Sequence, residues 1–442
     1  MGNTLHRIDL FLRRPINTSS LAFFRILFGS LMIFSLIRFW SKGWIDDFYI
    51  KPVFYFSYYG FEWVQNPGSL WIYVLFGLML LSALGILLGC FYRISATIFF
   101  LSFTYVELID KSNYLNHYYF ISLVSCLLIF IPAHRSFSVD ARRNKSIASR
   151  TEPMVYLFVL QLQVSIVYIF GAIAKLKYDW LVDAMPLKIW LNANSGLPII
   201  GNFLGMGITS YIFSYAGLLF DLLVPFILWS RRWKWSGYVL VIVFHLFTHL
   251  FFYIGMFPFF MMLFTLVFLD TKTHESIIGK FSSSVSQSSF KKFILPKTTG
   301  LFVVFFFIQF LVPFRYLLYP GNNLWHEQAY RWSWNIMLME KNGDAEFIVF
   351  DKHSSQTWVV RKKDFLTIQQ ERMMNTQPDM ILQFAHYLKE VYTSKYQTEV
   401  GVKVKAYVAL NGRSSQLLIN PDIDLTLFKE GFGNKTFILP LN

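Results

Sequence analysis

Between residues 21 and 318 this chain is dominated by long apolar runs, and nothing else in it limits the possible folds so strongly. Roughly 20 mostly apolar residues, at 1.5 Å per residue, are enough to cross a hydrocarbon core of about 30 Å. Candidate spans fall at 21–39, 69–90, 94–109, 117–132, 153–174, 208–229, 237–253, 254–269 and 299–318. The seventh and eighth are contiguous and together too long for one crossing. Gly255 and Pro258 supply a break, so two short paired helices meeting near Tyr253–Gly255 are expected. Only 15% of the 442 residues are charged, where soluble chains carry about a quarter. The composition therefore excludes a disordered protein and an ordinary cytosolic enzyme.

The net charge of +14 would suggest nucleic acid if it were clustered on one domain. Instead it tests topology, because Lys and Arg are retained in cytoplasmic loops. With the N-terminus placed in the cytoplasm, the segments on that side sum to +12 and the outer loops to −1. The part from residue 319 onward adds +1, and Arg25, Arg38, Asp221 and Arg315 inside the spans add +2. The basic excess is a membrane-orientation signal, and no nucleic-acid partner is expected. Arg13 and Arg14 before an apolar run resemble a signal peptide, but the run contains Arg25 and lacks a small-residue cleavage pattern, so it reads as a retained span. Ser282–Ser289 reads as a polar linker in the last cytoplasmic loop. Cys90 and Cys126 both lie in apolar runs and offer no disulfide framework.

After Pro320 the pattern changes. Residues 345–351 and 356–361 alternate apolar and polar, as half-buried strands do. Residues 400–410 and 415–420 flank Asn411-Gly412, a hairpin turn pair. Helix is expected between them over 364–394, starting at Asp364 and again after Pro378. The expected fold is a polytopic α-helical transmembrane bundle of about nine segments over residues 1–318. A C-terminal β-rich α+β domain outside the membrane follows over 319–442.

Ionisable groups inside spans are expensive and are functional candidates by default. Arg25 lies one turn into the first span, where an arginine can also snorkel to the interface. Arg38, at the far end of that span, reads as an interfacial anchor. Asp221 is mid-span in YAGLLFDLLVPF and reads as a pairing partner inside the bundle. His245 and His249 share a helical face in FHLFTHLFF, but no glutamate stands beside them as in HExxH. Only His117 or Asp221 could complete a ligand set, so hydrogen bonding is the plainer reading and no metal is expected. Asn116-His117 opens the fourth span and Lys175 ends the fifth, both at the outer boundary. Each could be a cap or anchor. A lysine turned into the bundle would lose hydration, which disfavours its charged form and makes it a competent base. The aromatic run NNLWHEQAYRWSW after the last span, with Trp325, Tyr330, Trp332 and Trp334, is an interface belt or a wall for a ligand or peptide.

At these residues the chain resembles a known family. SSLAFFRILFG at 19–29, GCFYRIS at 89–95, LIDKSNYLNHYYF with HRSFSVDA, and IVYIFGAIAKLKYDW at 166–180 are similar to the vitamin K-dependent gamma-glutamyl carboxylases. So are FHLFTHLFFYIGMF at 244–257, NNLW with AYRWSWNIM at 322–337, and INPDID at 419–424. The first part also resembles the wider HTTM domain. The resemblance implies an integral membrane enzyme that converts peptide glutamyl residues to gamma-carboxyglutamate. Its co-substrates would be reduced vitamin K or menaquinol, O2 and CO2, and its setting a bacterial inner membrane or, in a eukaryote, the ER membrane. Oxygenation of the quinol would provide the strong base that the γ-hydrogen requires, and the protein would only have to deprotonate the quinol. By resemblance that base is Lys175, while Asn116 and His117 orient the quinol oxygen. Trp325, Tyr330 and Trp334 match positions implicated in glutamate access, and Arg25, Asp221 and His245 would be intramembrane polar support. Lys177 stands where the family carries an acid, and the region 185–194 lacks the family's arginine. The alternative is a non-carboxylating quinone- or lipid-binding protein, or a small-molecule transporter, on the same scaffold. Transport would predict internal repeats, and none is visible.

Overall fold

The computed structural model describes residues 2–252, 254–278 and 293–441. Its apolar helices, numbered here in chain order, begin with α1 (Ser19–Ser41), α2 (Ser69–Leu88), α3 (Tyr92–Ile109) and α4 (Asn116–Phe130). They continue with α5 (Val155–Ala174), α6 (Gly207–Trp229), α7 (Lys234–Phe251), α8 (Phe257–Phe264) and α9 (Thr299–Leu311). Seven are long and apolar enough to cross a membrane, α9 counting with its 3-10 extension to Leu318. The two shorter ones, α4 and α8, occupy the expected fourth and eighth positions. Gly255 takes φ +59° between α7 and α8, and Pro258 stands in the first turn of α8. Tyr253 and the Ser282–Ser289 linker lie outside the described residues.

Burial separates the helices into an inner and an outer set. The apolar windows of α5 and α1 are 72% and 61% buried, whereas those of the other five long helices are 17–33% buried. Outward side chains such as Leu81, Phe226 and Phe307 are more than 60% exposed. Apolar side chains presented all around a bundle have a physical home only in lipid.

Arg25 is fully buried and does not snorkel. Its guanidinium donates to the carbonyls of Ala133 (3.1 Å), Ile86 (2.7 Å), Leu87 (2.5 Å) and Phe137 (2.7 Å). It thus satisfies carbonyls at the end of α2 and in the loop after α4, where helix ends leave acceptors without partners. Gly89, at φ +61°, makes room: a Cβ there would lie 2.8 Å from Arg25 Nη1. Arg25→Met is expected to destabilise the bundle by about 3 kcal/mol, since it strands several buried acceptors. An unchanged thermal midpoint in detergent would reject this role.

Loops at this end hold one another. Strand β1 (Pro15–Asn17) pairs antiparallel with β2 (Thr151–Pro153), Asp140 N donates to Gly89 O (3.0 Å), and His274 Nδ1 meets Ser20 Oγ (2.9 Å). The loops at the other end, after α1, α3 and α5, instead meet the C-terminal domain. Gln370 donates to Phe54 O (2.7 Å) and Asp110 (2.8 Å), and Trp190 to Glu340 (2.7 Å). That division is what spans of alternating direction produce.

The C-terminal domain contains a four-stranded antiparallel sheet in the order β4-β3-β5-β6. The strands are β3 (Lys341–Asp351), β4 (Thr357–Val359), β5 (Val400–Leu410) and β6 (Gln416–Leu417). Long β3 and β5 pair along their whole length, and alternate residues (Ala345, Phe347 and Val349; Val402, Val404 and Ala406) are fully buried. Helices α10 (Ile368–Met374) and α11 (Pro378–Tyr396) complete the core. Helix α10 begins later than the expected Asp364, which sits in a 3-10 turn. Thr367 and Gln370 form a capping box that fixes the true start. Asn411 (φ 51°) and Gly412 (φ 77°) make the expected turn.

Candidate active site

An apolar cavity of about 350 Å³ opens between α5, α6 and α7 near the C-terminal domain. Its walls include Phe213, Phe220, Phe244 and Phe247, with Lys175, Asp221 and His245 as the polar groups. Lys175, 4% exposed, follows the last residue of α5. Its Nζ donates to Asp221 Oδ2 (2.7 Å) and Gly171 O (3.3 Å) and lies 5.2 Å from the Trp180 ring centre. The absence of a side chain at Gly171 admits this pair, because a Cβ there would stand 3.3 Å from Asp221 Oδ2. Trp180 is fixed by its indole N–H donating to Ser214 O (2.9 Å). The lysine expected as a lone desolvated amine is therefore paired with a carboxylate in apolar surroundings. His245 Nε2 meets Tyr168 Oη at 2.9 Å, while its buried Nδ1 has no partner. His249 turns elsewhere and packs edge-on against Phe259. Among the described residues no three His, Cys, Asp or Glu side chains gather as a metal site.

Asn116 and His117 do not line this cavity. They line a second one, also about 350 Å³, with Arg38, Trp44 and Tyr118. Ile254, Phe257, Ile336 and Met337 line both cavities and so form the wall between them. The Asn116 carboxamide is held by the protein: it accepts from Tyr114 Oη (3.0 Å) and donates to Asn335 O (3.1 Å). Tyr114 Oη in turn accepts from Trp332 N (2.8 Å).

These bonds hold an unusual piece of backbone. Glu327, Ala329, Trp332, Trp334 and Met337 all have φ between 53° and 61°. Side chains rarely adopt this region, and such residues persist where their surroundings over-determine them. Here Arg315 donates to Arg331 O (2.6 Å), Asn335 to Tyr330 O (2.8 Å) and Ser333 to Ala329 O (2.8 Å). Trp334 is fully buried against Tyr119 and Phe120 of the bundle, and Trp325 lies in the domain core with its N–H donating to Leu439 O (2.8 Å). Neither lines the two cavities. Tyr330 lines a third, charged cleft of about 130 Å³ with Lys111, His326, Arg331 and Asp379.

Sequence reasoning missed the ion cluster of that cleft. Lys111, 1% exposed, reaches Asp379 (2.9 Å) and Glu430 (3.1 Å), and Arg331 reaches the same Asp379 oxygen at 2.7 Å. Burial pushes the Asp379 carboxyl up, but Arg331 and Lys111 outweigh it and hold it well below the usual range. His326, neutralised by burial and by Lys341 and Lys177, falls to about 4. Asp179, beside Trp180, accepts from both terminal nitrogens of Arg413 (2.8 and 2.7 Å) and from Asn411 (2.7 Å), clasping the β5–β6 turn. Burial raises its carboxyl, and those bonds bring it below its ordinary value. The position of Lys111 and Asp110 in LIDKSNYLNHYYF was the available signal; the partner Asp379 lies too far along the chain to be paired by reading.

Residues 13–272 match the family model described as the HTTM domain. Residues 295–442 match that described as the vitamin K-dependent gamma-carboxylase, lumenal domain. No solved structure matches the chain. With a helical membrane bundle under the first match and a sheet-containing domain under the second, this chain belongs to the vitamin K-dependent gamma-glutamyl carboxylase family.

Proposed function

We propose that the protein carboxylates glutamyl side chains of a peptide to gamma-carboxyglutamate, using a reduced vitamin K or menaquinol, O2 and CO2. The observation that carries this reading is the buried Lys175–Asp221 pair in an aromatic-walled cavity beside lipid-facing helices. The cavity suits a quinol: flat phenylalanine walls for a fused ring, an apolar surround for a prenyl tail, and polar groups at only a few points. When bound and oxygenated, a quinol supplies a base strong enough for the γ-hydrogen of glutamate. The protein's own tasks are milder. In its neutral form Lys175 Nζ takes the proton of a phenol-type hydroxyl, and the Asp221 carboxylate, which accepts its N–H, balances the ammonium that results. His245, anchored by Tyr168, offers its unpaired Nδ1 to a second ring oxygen. The phenylalanine lining excludes water from the reacting atoms.

The chain crosses the membrane nine times in this reading, with the N-terminus cytoplasmic and the C-terminal domain outside. Ser146→Cys and Ser355→Cys, each with Cys90 and Cys126 replaced by alanine, test the orientation. An impermeant maleimide applied to spheroplasts should label position 355 and spare position 146; the reverse pattern would overturn the assignment. The reaction is tested by incubating detergent-purified protein with reduced vitamin K, labelled hydrogen carbonate and a glutamate-rich peptide. Loss of both label incorporation and quinone epoxide would sink the carboxylase reading. Epoxide without label would retain the quinol chemistry and remove the peptide substrate.

A further inference from the structure

The second cavity contains polar groups that the protein itself leaves unused. Arg38, in the last turn of α1, stacks its guanidinium over Trp44 with 4.8 Å to the ring centre. Among the described residues it makes no hydrogen bond or ion pair through its side chain, although acids occur nearby in sequence. Asp46 is engaged by Tyr73 (3.0 Å) and Asp47 by Lys51 (2.5 Å). Glu107, which with Arg38 lies within electrostatic range of Tyr118, does not line the cavity and forms no ion pair with Arg38. His117 is only 7% exposed, yet neither of its ring nitrogens has a hydrogen-bond partner among the described residues. Its ring is held by packing against Phe260 (5.6 Å between centres) and Tyr118 (4.6 Å). A half-buried cation and a nearly buried imidazole, neither with a hydrogen-bond or ion-pair partner among the described residues, therefore line one cavity.

We infer that this cavity is a carboxylate-binding chamber in which the Arg38 guanidinium and a His117 ring N–H receive one small carboxylate-type anion. Held over the Trp44 ring, the guanidinium keeps its N–H groups free for the paired N–H···O bonds that carboxylates make best. The low polarity of the remaining walls strengthens that contact. The chamber rests on the carboxylase reading for the identity of its occupant, which is either the glutamyl side chain or hydrogen carbonate. Both present the same planar, singly charged group. Its placement suits either. The chamber shares Ile254, Phe257, Ile336 and Met337 with the Lys175 cavity as lining, so the anion is held next to the proposed quinol site.

The test is equilibrium binding to the full-length protein in detergent, without quinol. The probes are an N-acetylated, C-amidated peptide with one glutamate, its glutamine counterpart, and hydrogen carbonate. Wild type should bind the glutamate peptide at least about tenfold more tightly than the glutamine peptide. Arg38→Gln should erase that preference, and Arg38→Lys should restore part of it. Arg38-dependent binding of hydrogen carbonate without a glutamate preference assigns the chamber to that anion. Failure to see either form of Arg38-dependent binding overturns the inference. The wild-type peptide comparison involves no substitution, so a misfolded variant cannot mask the result. Carboxylation and chamber separate cleanly. Arg38-dependent binding with no turnover leaves the chamber and removes the reaction. Turnover by Arg38→Gln with an unchanged KM for peptide and for hydrogen carbonate does the opposite.

Discussion

Lys175→Ala is expected to lower quinol epoxidation by about a thousandfold, the scale on which a positioned general base acts. The loss should appear in kcat, because the amine contributes little to the apolar contacts that hold a quinol. A small primary amine added to the assay, or a more basic buffer, should restore part of the rate by entering the space the side chain vacates. The rescue should grow with amine concentration and fail in the intact wild type. Asp221→Asn should be milder, since it keeps a hydrogen-bonding partner 2.7 Å from Nζ but removes the charge that holds the amine. Undiminished epoxidation in Lys175→Ala would reject its role as the base.

Asp379→Ala should destabilise the C-terminal domain and its contact with the bundle by about 3 kcal/mol. It takes the shared carboxylate from Lys111 and Arg331, two cations whose side chains are 1% and 15% exposed. Lys111 would keep Glu430, whereas Arg331 would keep the Gln377 side chain and the more distant charge of Glu327. Denaturation in mild detergent followed by circular dichroism reads the loss; a midpoint within error of wild type would refute it. Acid should act in the same direction. Asp379 and Asp179 both have folded-state values below the ordinary carboxyl value of about 3.9. Their contribution is therefore present above about pH 4 and is lost as pH falls through their folded values. Hydrogen exchange of the segment around Asp179 should accelerate below pH 4 before the sheet of the C-terminal domain opens.

Much of the bundle was legible because lipid demands long apolar stretches, and these stand out without any partner in view. The C-terminal strands were legible for a similar reason, since alternation and an Asn-Gly turn are local signals. What failed was long-range. Arg25 looks like an interfacial arginine until the carbonyls of residues 86, 87, 133 and 137 are brought around it. Asp221 was recognisable as a buried acid and Lys175 as an amine at a span end, but not as each other's neighbour. Asn116-His117 and Lys175 lie at the same end of the bundle, as their positions at helix ends indicated. The wall that divides them comes from residues 254–257 and 336–337, two segments with no sequence mark of that purpose. None of the five left-handed residues between 327 and 337 is Gly, Asn or Asp, so nothing in their identity signalled a strained backbone.

The divided interior also has a pharmacological consequence. If the Arg38 chamber takes the glutamyl carboxylate as proposed, a flat aromatic inhibitor that fills the Lys175 cavity leaves it free, and raising the peptide concentration should not relieve the inhibition. A small dicarboxylate would behave in the complementary way. Joining the two with a short tether across Phe257 and Ile336 would make the second contact intramolecular, a gain of about 10²–10⁴ in affinity if the tether fits the gap. The thickness of that wall, rather than the chemistry of either chamber, sets the length of the tether.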